Sequence, residues 1–177
     1  MTHDAKLSLT PVDFDMPSGA CDSHVHIHAP QFPFYEGRAY TPGPAIPEEL
    51  NLLHKQLGIQ RVVVVQPSVY GTDYSAMLLG MRSRGSNARG VAVVDEKTTD
   101  VQLDNLHEAG VRGIRLNLAA SEVRDGDIAR QRLREAIACV RRFKWHVQIY
   151  TMLPLVTAIK QLVLDSPVPI SFDHFAN

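Results

Sequence analysis

The segment CDSHVHIHAP at residues 21–30 carries the strongest chemical signal in the sequence. His24 and His26 are two positions apart, and on a β-strand such residues point to the same side of the sheet. Two imidazoles on one side can bind a metal, polarise a carbonyl group or transfer protons. An ordinary strand end also accommodates such a pair, but the preceding Asp22 and the polar residues that end later segments favour a functional role.

Polar residues also end four later apolar segments. They are Gln66 and Ser68, Arg115 and Asn117, Gln148 and Tyr150, and Asp173 and His174. Arg115 interrupts an apolar segment, where a charged group needs a partner or an anionic ligand. A guanidinium facing a cavity binds a carboxylate well, so Arg115 is a candidate for holding an anionic substrate.

Tyr40 lies in the segment RAYTPGPA at residues 38–45, between the first two apolar segments. This loop could fold over a binding site as a lid, or it could be an ordinary Pro/Gly loop. The chain has no phosphate-binding glycine motif, no G-x-S-x-G motif and no cysteine with a plausible base. These observations argue against nucleotide binding and against Ser or Cys nucleophilic catalysis.

Apolar and amphipathic segments alternate along the chain, which predicts an α/β fold. Consecutive apolar positions such as VVVV at 62–65 are typical of parallel strands covered on both faces. The predicted strands are 21–25, 61–66, 90–94, 113–117, 146–150 and 168–173. The predicted helices are 47–57, 73–82, 99–109, 127–143 and 153–164.

The distribution of polar residues predicts a TIM-type (β/α)8 barrel, because a barrel gathers all its strand ends around one mouth. An open six-stranded sheet is the alternative, in which mainly the strands at the switch point contribute. The sequence ends at Asn177, whereas a complete barrel needs about 250 residues. We therefore expect a barrel truncated after the sixth strand, with residues 1–18 as an N-terminal extension and 19–177 as the barrel domain.

Composition narrows the function further. The 177 residues carry 18 Lys and Arg against 19 Asp and Glu, a formal net charge of -1. This balance argues against nucleic acid as a partner, and no apolar segment is long enough for a membrane span. The two cysteines, Cys21 and Cys139, cannot form a disulfide framework, which suits a cytoplasmic location.

The motifs together resemble the amidohydrolase superfamily, in the branch of pyrone-dicarboxylate lactonases and sugar-lactone hydrolases and isomerases. The resemblance covers residues 19–177 through the HVH strand, the YTP loop, LGIQRVVVVQPSVYGTD, RGVAVVD, AGVRGIRLN, QIY and FDHFAN, in that order. It implies a (β/α)8 barrel with the site at the carboxyl ends of the strands. It also implies a small anionic lactone as substrate.

The resemblance assigns roles residue by residue. His24, His26 and His174 match the family's catalytic histidines, and Tyr40, Ser68, Arg115 and Tyr150 match positions that hold the substrate. The general base of the family is an aspartate at the end of the eighth strand, which lies beyond this sequence.

Metal-dependent amidohydrolases also have a Lys or Glu on the fourth strand and a His on the fifth, where this sequence has Arg115 and Gln148 with Tyr150. We therefore predict a lactone hydrolase without a metal or other cofactor. A lactone isomerase and a non-catalytic fragment of a metal-dependent amidohydrolase are the alternatives. The unpaired edges of an incomplete barrel could also lead to self-association.

Overall fold

The computed structural model describes residues 13–176, and strands alternate with helices along them. The strands are β1 (Cys21–Val25), β2 (Arg61–Val65), β3 (Ala88–Ala92), β4 (Val111–Asn117), β5 (His146–Tyr150) and β6 (Ile170–Phe172). The helices are α1 (Pro47–Leu57), α2 (Ser75–Arg84), α3 (Asp100–Glu108), α4 (Gly126–Val140) and α5 (Leu153–Leu164). Residues 1–12 of the expected N-terminal extension lie outside the described residues, and the domain boundary at residue 19 stays a prediction.

Local sequence signals set the helix ends. Helix α1 begins with Pro47 and ends at Gly58, which has a positive φ of 73°. Proline fits the first helical turn because its missing N–H would have no partner there, and glycine takes the left-handed conformation without strain. Helix α3 begins with a capping box formed by Thr99 and Gln102, and Asp125 caps the first turn of α4.

All neighbouring strands are parallel and follow one another in the order β1 to β6. In a flat sheet β1 and β5 would lie about 19 Å apart, which is four strand spacings. Yet the side chains of His24 on β1 and Gln148 on β5 are 3.2 Å apart. The sheet therefore curves into a half-barrel. This confirms the predicted barrel architecture over the open-sheet alternative.

The hydrophobic core joins the strands to the helices outside them. Val62, Val64, Ile114, Val147 and Ile149 are buried on the strands and belong to one apolar cluster. The helices contribute a second set to the same cluster, namely Ala76, Met77, Leu103, Leu106, Ala129, Leu133, Leu155 and Ile159. Burial on both faces explains the continuous apolar segments of the sequence.

Four strands differ from the predicted bounds. Strand β2 ends at Val65 instead of residue 66, β3 begins at Ala88 instead of residue 90, β4 begins at Val111 instead of residue 113, and β6 ends at Phe172 instead of residue 173. Two further differences have a local cause. Strand β3 ends at Ala92 instead of residue 94, because the buried side chain of Gln66 accepts the hydrogen bond of the Val93 N–H (2.9 Å). Strand β6 begins at Ile170 instead of residue 168. Pro169 precedes it and has no N–H to donate to a strand neighbour, although its carbonyl accepts from the Val147 N–H.

No helix within residues 13–176 is both long enough and apolar enough to cross a membrane. Cys21 is exposed and Cys139 is half-buried, and neither forms a disulfide.

Helix α2 packs so closely on the sheet and on Ile27, just beyond β1, that one of its positions requires glycine. A Cβ atom added at Gly80 would lie 2.6 Å from Cγ1 of Ile27. Gly80→Ala should lower the free energy of unfolding by up to about 2 kcal/mol, because overpacking outweighs the gain of about 1 kcal/mol in helix propensity. Chemical denaturation measures this change.

Gly43→Ala is the matched control, since a Cβ at Gly43 meets no atom within 4 Å. A Gly80→Ala variant more stable than the unsubstituted protein would contradict the close packing of α2 on the sheet.

Candidate active site

Side chains from four strands meet at the mouth of the half-barrel, where the strands have their carboxyl ends. His24 lies on β1 and His26 just beyond it, while Arg115 lies on β4 and Gln148 on β5. Asp173 directly follows β6. Parallel strands bring their carboxyl ends to the same edge, so residues far apart in sequence become neighbours.

The two histidines of β1 face each other. Their Nε2 atoms are 3.4 Å apart, and the rings meet edge to face with centroids 4.9 Å apart. Nδ1 of His26 lies 2.7 Å from the carbonyl oxygen of Val65, at the end of β2. A carbonyl oxygen only accepts hydrogen bonds, so this nitrogen of His26 carries a proton and donates it.

The carboxylate of Asp173 is the centre of a buried polar network. Its Oδ2 accepts a hydrogen bond from Nε of Arg115 (2.8 Å) and forms an ion pair with Nη2 of the same guanidinium (2.7 Å). Its Oδ1 accepts one from Nε2 of Gln148. Asp173 is 4% exposed, and Arg115 and Gln148 are each 6% exposed. The partner that a charge inside an apolar strand requires is therefore the carboxylate that closes β6.

Gln148 connects this network to the histidines. Its Nε2 lies 3.2 Å from Nδ1 of His24. Oδ1 of Asp173 lies 3.5 Å from Nδ1 of His24. One continuous set of contacts therefore runs from Arg115 through Asp173, Gln148 and His24 to His26.

His174 and Tyr150 lie beside the network. The ring centroid of His174 is 5.4 Å from that of His24 and 5.5 Å from that of Tyr150. The guanidinium carbon of Arg115 is 5.1 Å from the centroid of the Tyr150 ring, within range of a cation–π contact. His174 has a positive φ of 49° and its side chain is exposed.

Burial keeps the histidines of β1 neutral near pH 7. Loss of solvent lowers the pKa of His26 to about 4, and the positive charge of Arg115 acts in the same direction. The hydrogen bond to Val65 opposes this shift. Burial also lowers the pKa of His24, although the negative charge of Asp173 opposes the effect.

A cleft of about 880 Å³ opens beside the network. Ser68 and Arg115 line it, together with Tyr35 and Arg38 from the loop after β1. Tyr40 lies on that same loop with its side chain 49% exposed, and it is not among the residues that line the cleft. Of the predicted site residues, the structure thus brings His24, His26, Arg115, Tyr150 and His174 together, with Ser68 on the adjoining cleft.

Other polar residues at the strand ends hold the scaffold instead. The amide of Gln66 donates to the carbonyl oxygens of Gly71 and Asp73, and the hydroxyl of Tyr70 contacts the backbone of Ala29. These contacts fix the loops that follow β1 and β2.

The sequence interpretation gave no role to Gln148, Asp173 or Arg38. One signal pointed to Asp173, because Arg115 lies in an apolar segment and needs a carboxylate nearby. No spacing pattern in the sequence pointed to Arg38.

The donor set does not fit a divalent cation. His24, Asp173 and His174 offer ligand atoms within 4.8 Å of one another. However, the Asp173 carboxylate already pairs with Arg115, whose permanent charge would repel a dication. In addition, Nδ1 of His24 lies 3.2 Å from the amide nitrogen of Gln148, so this ring nitrogen already has a hydrogen-bonding contact.

Comparisons with known proteins agree with this parallel half-barrel. The amidohydrolase family model matches residues 21–177, and the chain belongs to that family. A 2-pyrone-4,6-dicarboxylate hydrolase of Comamonas testosteroni is 36% identical over 163 residues, covering 91% of this chain and 53% of that protein. A D-galactarolactone isomerase of Agrobacterium fabrum is 32% identical over 113 residues, covering 63% of this chain and 39% of that protein.

Solved structures share the fold. A protein of Agrobacterium tumefaciens superposes with a TM-score of 0.79 at 23% identity, covering 90% of this chain and 58% of that one. The chain therefore spans about half the length of the relatives that it matches.

The low pKa of His26 makes the stability of the protein depend on pH. The folded protein resists protonation of His26 below the ordinary pKa of 6.5, whereas the unfolded chain does not. The free energy of unfolding should therefore decrease as pH falls from about 6.5 to about 4, by as much as about 3 kcal/mol from this residue.

Urea denaturation at several pH values measures this contribution when the unsubstituted protein is compared with His26→Asn. The difference in stability between the two should shrink as the pH falls through that range. A difference that stays constant would contradict the neutral, buried state of His26.

Proposed function

We propose that this site binds a small lactone carrying carboxylate groups and, in the complete barrel, hydrolyses the lactone ring. The contact between Arg115 and Asp173 carries the proposal, because it holds a guanidinium rigidly beside the histidines and the cleft. The contacts of the Arg115 guanidinium with Asp173 use Nε and Nη2, so Nη1 remains for an oxygen of the substrate. The names of the two relatives support a lactone as the substrate class.

The residues of the chain suit the transition state of ester hydrolysis. Water adds to the lactone carbonyl carbon, the carbonyl oxygen becomes an oxyanion, and the ring C–O bond then breaks. The ring oxygen leaves with a proton, and the acid released is a carboxylate. N–H groups of Arg115 and His24 at the mouth would stabilise the oxyanion, an effect that typically contributes a few kcal/mol. The resemblance assigns activation of the water to an aspartate at the end of the eighth strand.

Lactone isomerisation is the second candidate. It moves an acyl group from one hydroxyl to another and needs the same oxyanion stabilisation. The similarity to the D-galactarolactone isomerase favours it specifically. A fragment that binds the lactone without turning it over is the third candidate.

We further propose that the site works without a metal. Self-association through the edges of β1 and β6 and a cytoplasmic location, both expected from the sequence, stay predictions.

Incubation of the 177-residue chain with 2-pyrone-4,6-dicarboxylate tests the proposed function. Calorimetry measures binding, and the ultraviolet absorbance of the pyrone ring measures its opening. We expect the chain to bind the pyrone whether or not it opens the ring. Ring opening is expected only if the residues of this chain suffice for turnover. Binding without ring opening would support the third candidate, and absence of both would refute a pyrone-dicarboxylate site.

The role of Arg115 is testable by a substitution that keeps the charge. Arg115→Lys retains a cation beside Asp173 but loses the Nη1 group that the proposed function assigns to an oxygen of the substrate. A charge-assisted hydrogen bond contributes roughly 1.5–3 kcal/mol, so the dissociation constant for 2-pyrone-4,6-dicarboxylate should rise at least about tenfold. Arg112→Lys on the same strand is the control, because the Arg112 side chain is exposed and bonds to backbone carbonyls. Equal effects of both substitutions would remove the role given to Arg115.

Metal content is a separate prediction. Protein purified without chelator should hold well under one equivalent of zinc or manganese per chain by elemental analysis. The reasons are the charge of Arg115 beside Asp173 and the amide N–H facing Nδ1 of His24. A stoichiometric metal lost together with substrate binding on chelation would show that the site is metal-dependent.

A further inference from the structure

Gln148 is a buried amide placed between an anion and a histidine ring. We propose that Gln148 is a positioning residue, which holds His24 in the tautomer that carries its proton on Nε2. His24 then offers an N–H donor at the mouth of the barrel. The use of this donor for a lactone carbonyl rests on the proposed function, but the tautomer itself does not.

The orientation of the Gln148 amide follows from Asp173. The carboxylate is paired with Arg115, and an ionised carboxylate only accepts hydrogen bonds. The atom of Gln148 next to Oδ1 of Asp173 must therefore be the amide nitrogen. That nitrogen has two N–H groups, and the second one lies 3.2 Å from Nδ1 of His24.

The tautomer of His24 follows from this orientation. Nδ1 accepts the amide N–H, so the single proton of the neutral ring is on Nε2. Nε2 of His24 in turn faces Nε2 of His26 at 3.4 Å. That nitrogen of His26 is an acceptor, because the proton of His26 is on Nδ1 and goes to the Val65 carbonyl. Every N–H in this series has one acceptor.

The opposite tautomer of His24 leaves two conflicts. A proton on Nδ1 would meet an N–H of Gln148 at 3.2 Å, and its nearest acceptor would be Oδ1 of Asp173 at 3.5 Å. That distance is longer than ordinary N–H···O hydrogen bonds. In addition, the lone pairs of the two Nε2 atoms would face each other at 3.4 Å with no proton between them.

The geometry also indicates how the Nε2–H of His24 could donate to a substrate. In the protein without ligand, the Nε2–H of His24 is directed at His26. A carbonyl oxygen that enters the mouth is a better acceptor when it develops negative charge, and it can replace Nε2 of His26 in this hydrogen bond. Gln148 thereby prepares His24 as a donor, in contrast to a base or a metal ligand.

Long-range ¹H–¹⁵N NMR spectroscopy of the full 177-residue chain at neutral pH tests the proposal. The two ring nitrogens of a neutral histidine have well-separated ¹⁵N shifts that identify the protonated one. We expect protonated Nε2 and bare Nδ1 for His24 in the unsubstituted protein. In Gln148→Leu, and in Gln148→Glu with its new side chain ionised, the fraction of His24 with the proton on Nδ1 should increase. Nδ1 then loses the amide donor, and only the contact with Nε2 of His26 still favours the proton on Nε2.

Gln161→Leu is the matched control, since Gln161 also donates to an aspartate, Asp165, but on the exposed surface. It should leave the His24 spectrum unchanged. A proton on Nδ1 of His24 in the unsubstituted protein would overturn the proposal, as would an unchanged tautomer in a folded Gln148 variant.

The unsubstituted protein provides the first of these tests even if neither variant folds. Because the readout requires no substrate, absence of lactone binding would refute the proposed function and leave the tautomer assignment standing.

Discussion

The buried carboxylate of Asp173 is the interaction on which the site depends. It contacts a guanidinium on β4 and an amide on β5. One side chain therefore holds the carboxyl ends of β4, β5 and β6 together. Removing one partner of a buried ion pair typically costs about 3–5 kcal/mol, because the other charge is left uncompensated. Arg115 could not remain 6% exposed inside an apolar strand without this partner. The Asp173 carboxylate therefore determines both the position of the Arg115 guanidinium and the orientation of the Gln148 amide.

Curvature of the sheet connects this anion to the histidines of β1. The side-chain contact between His24 and Gln148 joins the first strand to the fifth, which only a rolled sheet allows. The same rolling buries His24 and His26 enough to lower both pKa values and keep the rings neutral. A neutral imidazole has one donor and one acceptor nitrogen. In a series of hydrogen bonds through His24 and His26, each ring therefore accepts on one side and donates on the other. Barrel geometry thus determines both the placement and the protonation of the pair.

Much of the fold could be predicted from the sequence because its signals are local. Pro47 and Gly58 mark the ends of α1, and the apolar segment 146–150 coincides with β5. Strand ends were also predictable sites of polar residues, which led to His24, His26 and Arg115. The pairings among them were not predictable, because register and curvature decide which strand ends meet. Gln66 also ends an apolar segment, but its side chain terminates β3 and does not line the cleft. Arg38 entered the cleft through a loop conformation that no spacing pattern encodes.

Under the proposed function, two of the arginines that line the cleft have different roles. Arg115 and Asp173 together carry no net charge, so their pair offers oriented N–H groups and little long-range attraction for an anion. Arg38 forms no ion pair within residues 13–176; Oγ1 of Thr41 and the carbonyl of Tyr35 hold its guanidinium, which lies 5.7 Å from the Phe34 ring centroid. None of these partners cancels its charge. The loop after β1 thus brings a cation without an ion-pair partner to a cleft that Asp95, Glu96, Asp100 and Glu135 also line, while the strand ends provide directional donors. A substrate with both a carboxylate and an ester carbonyl matches that division.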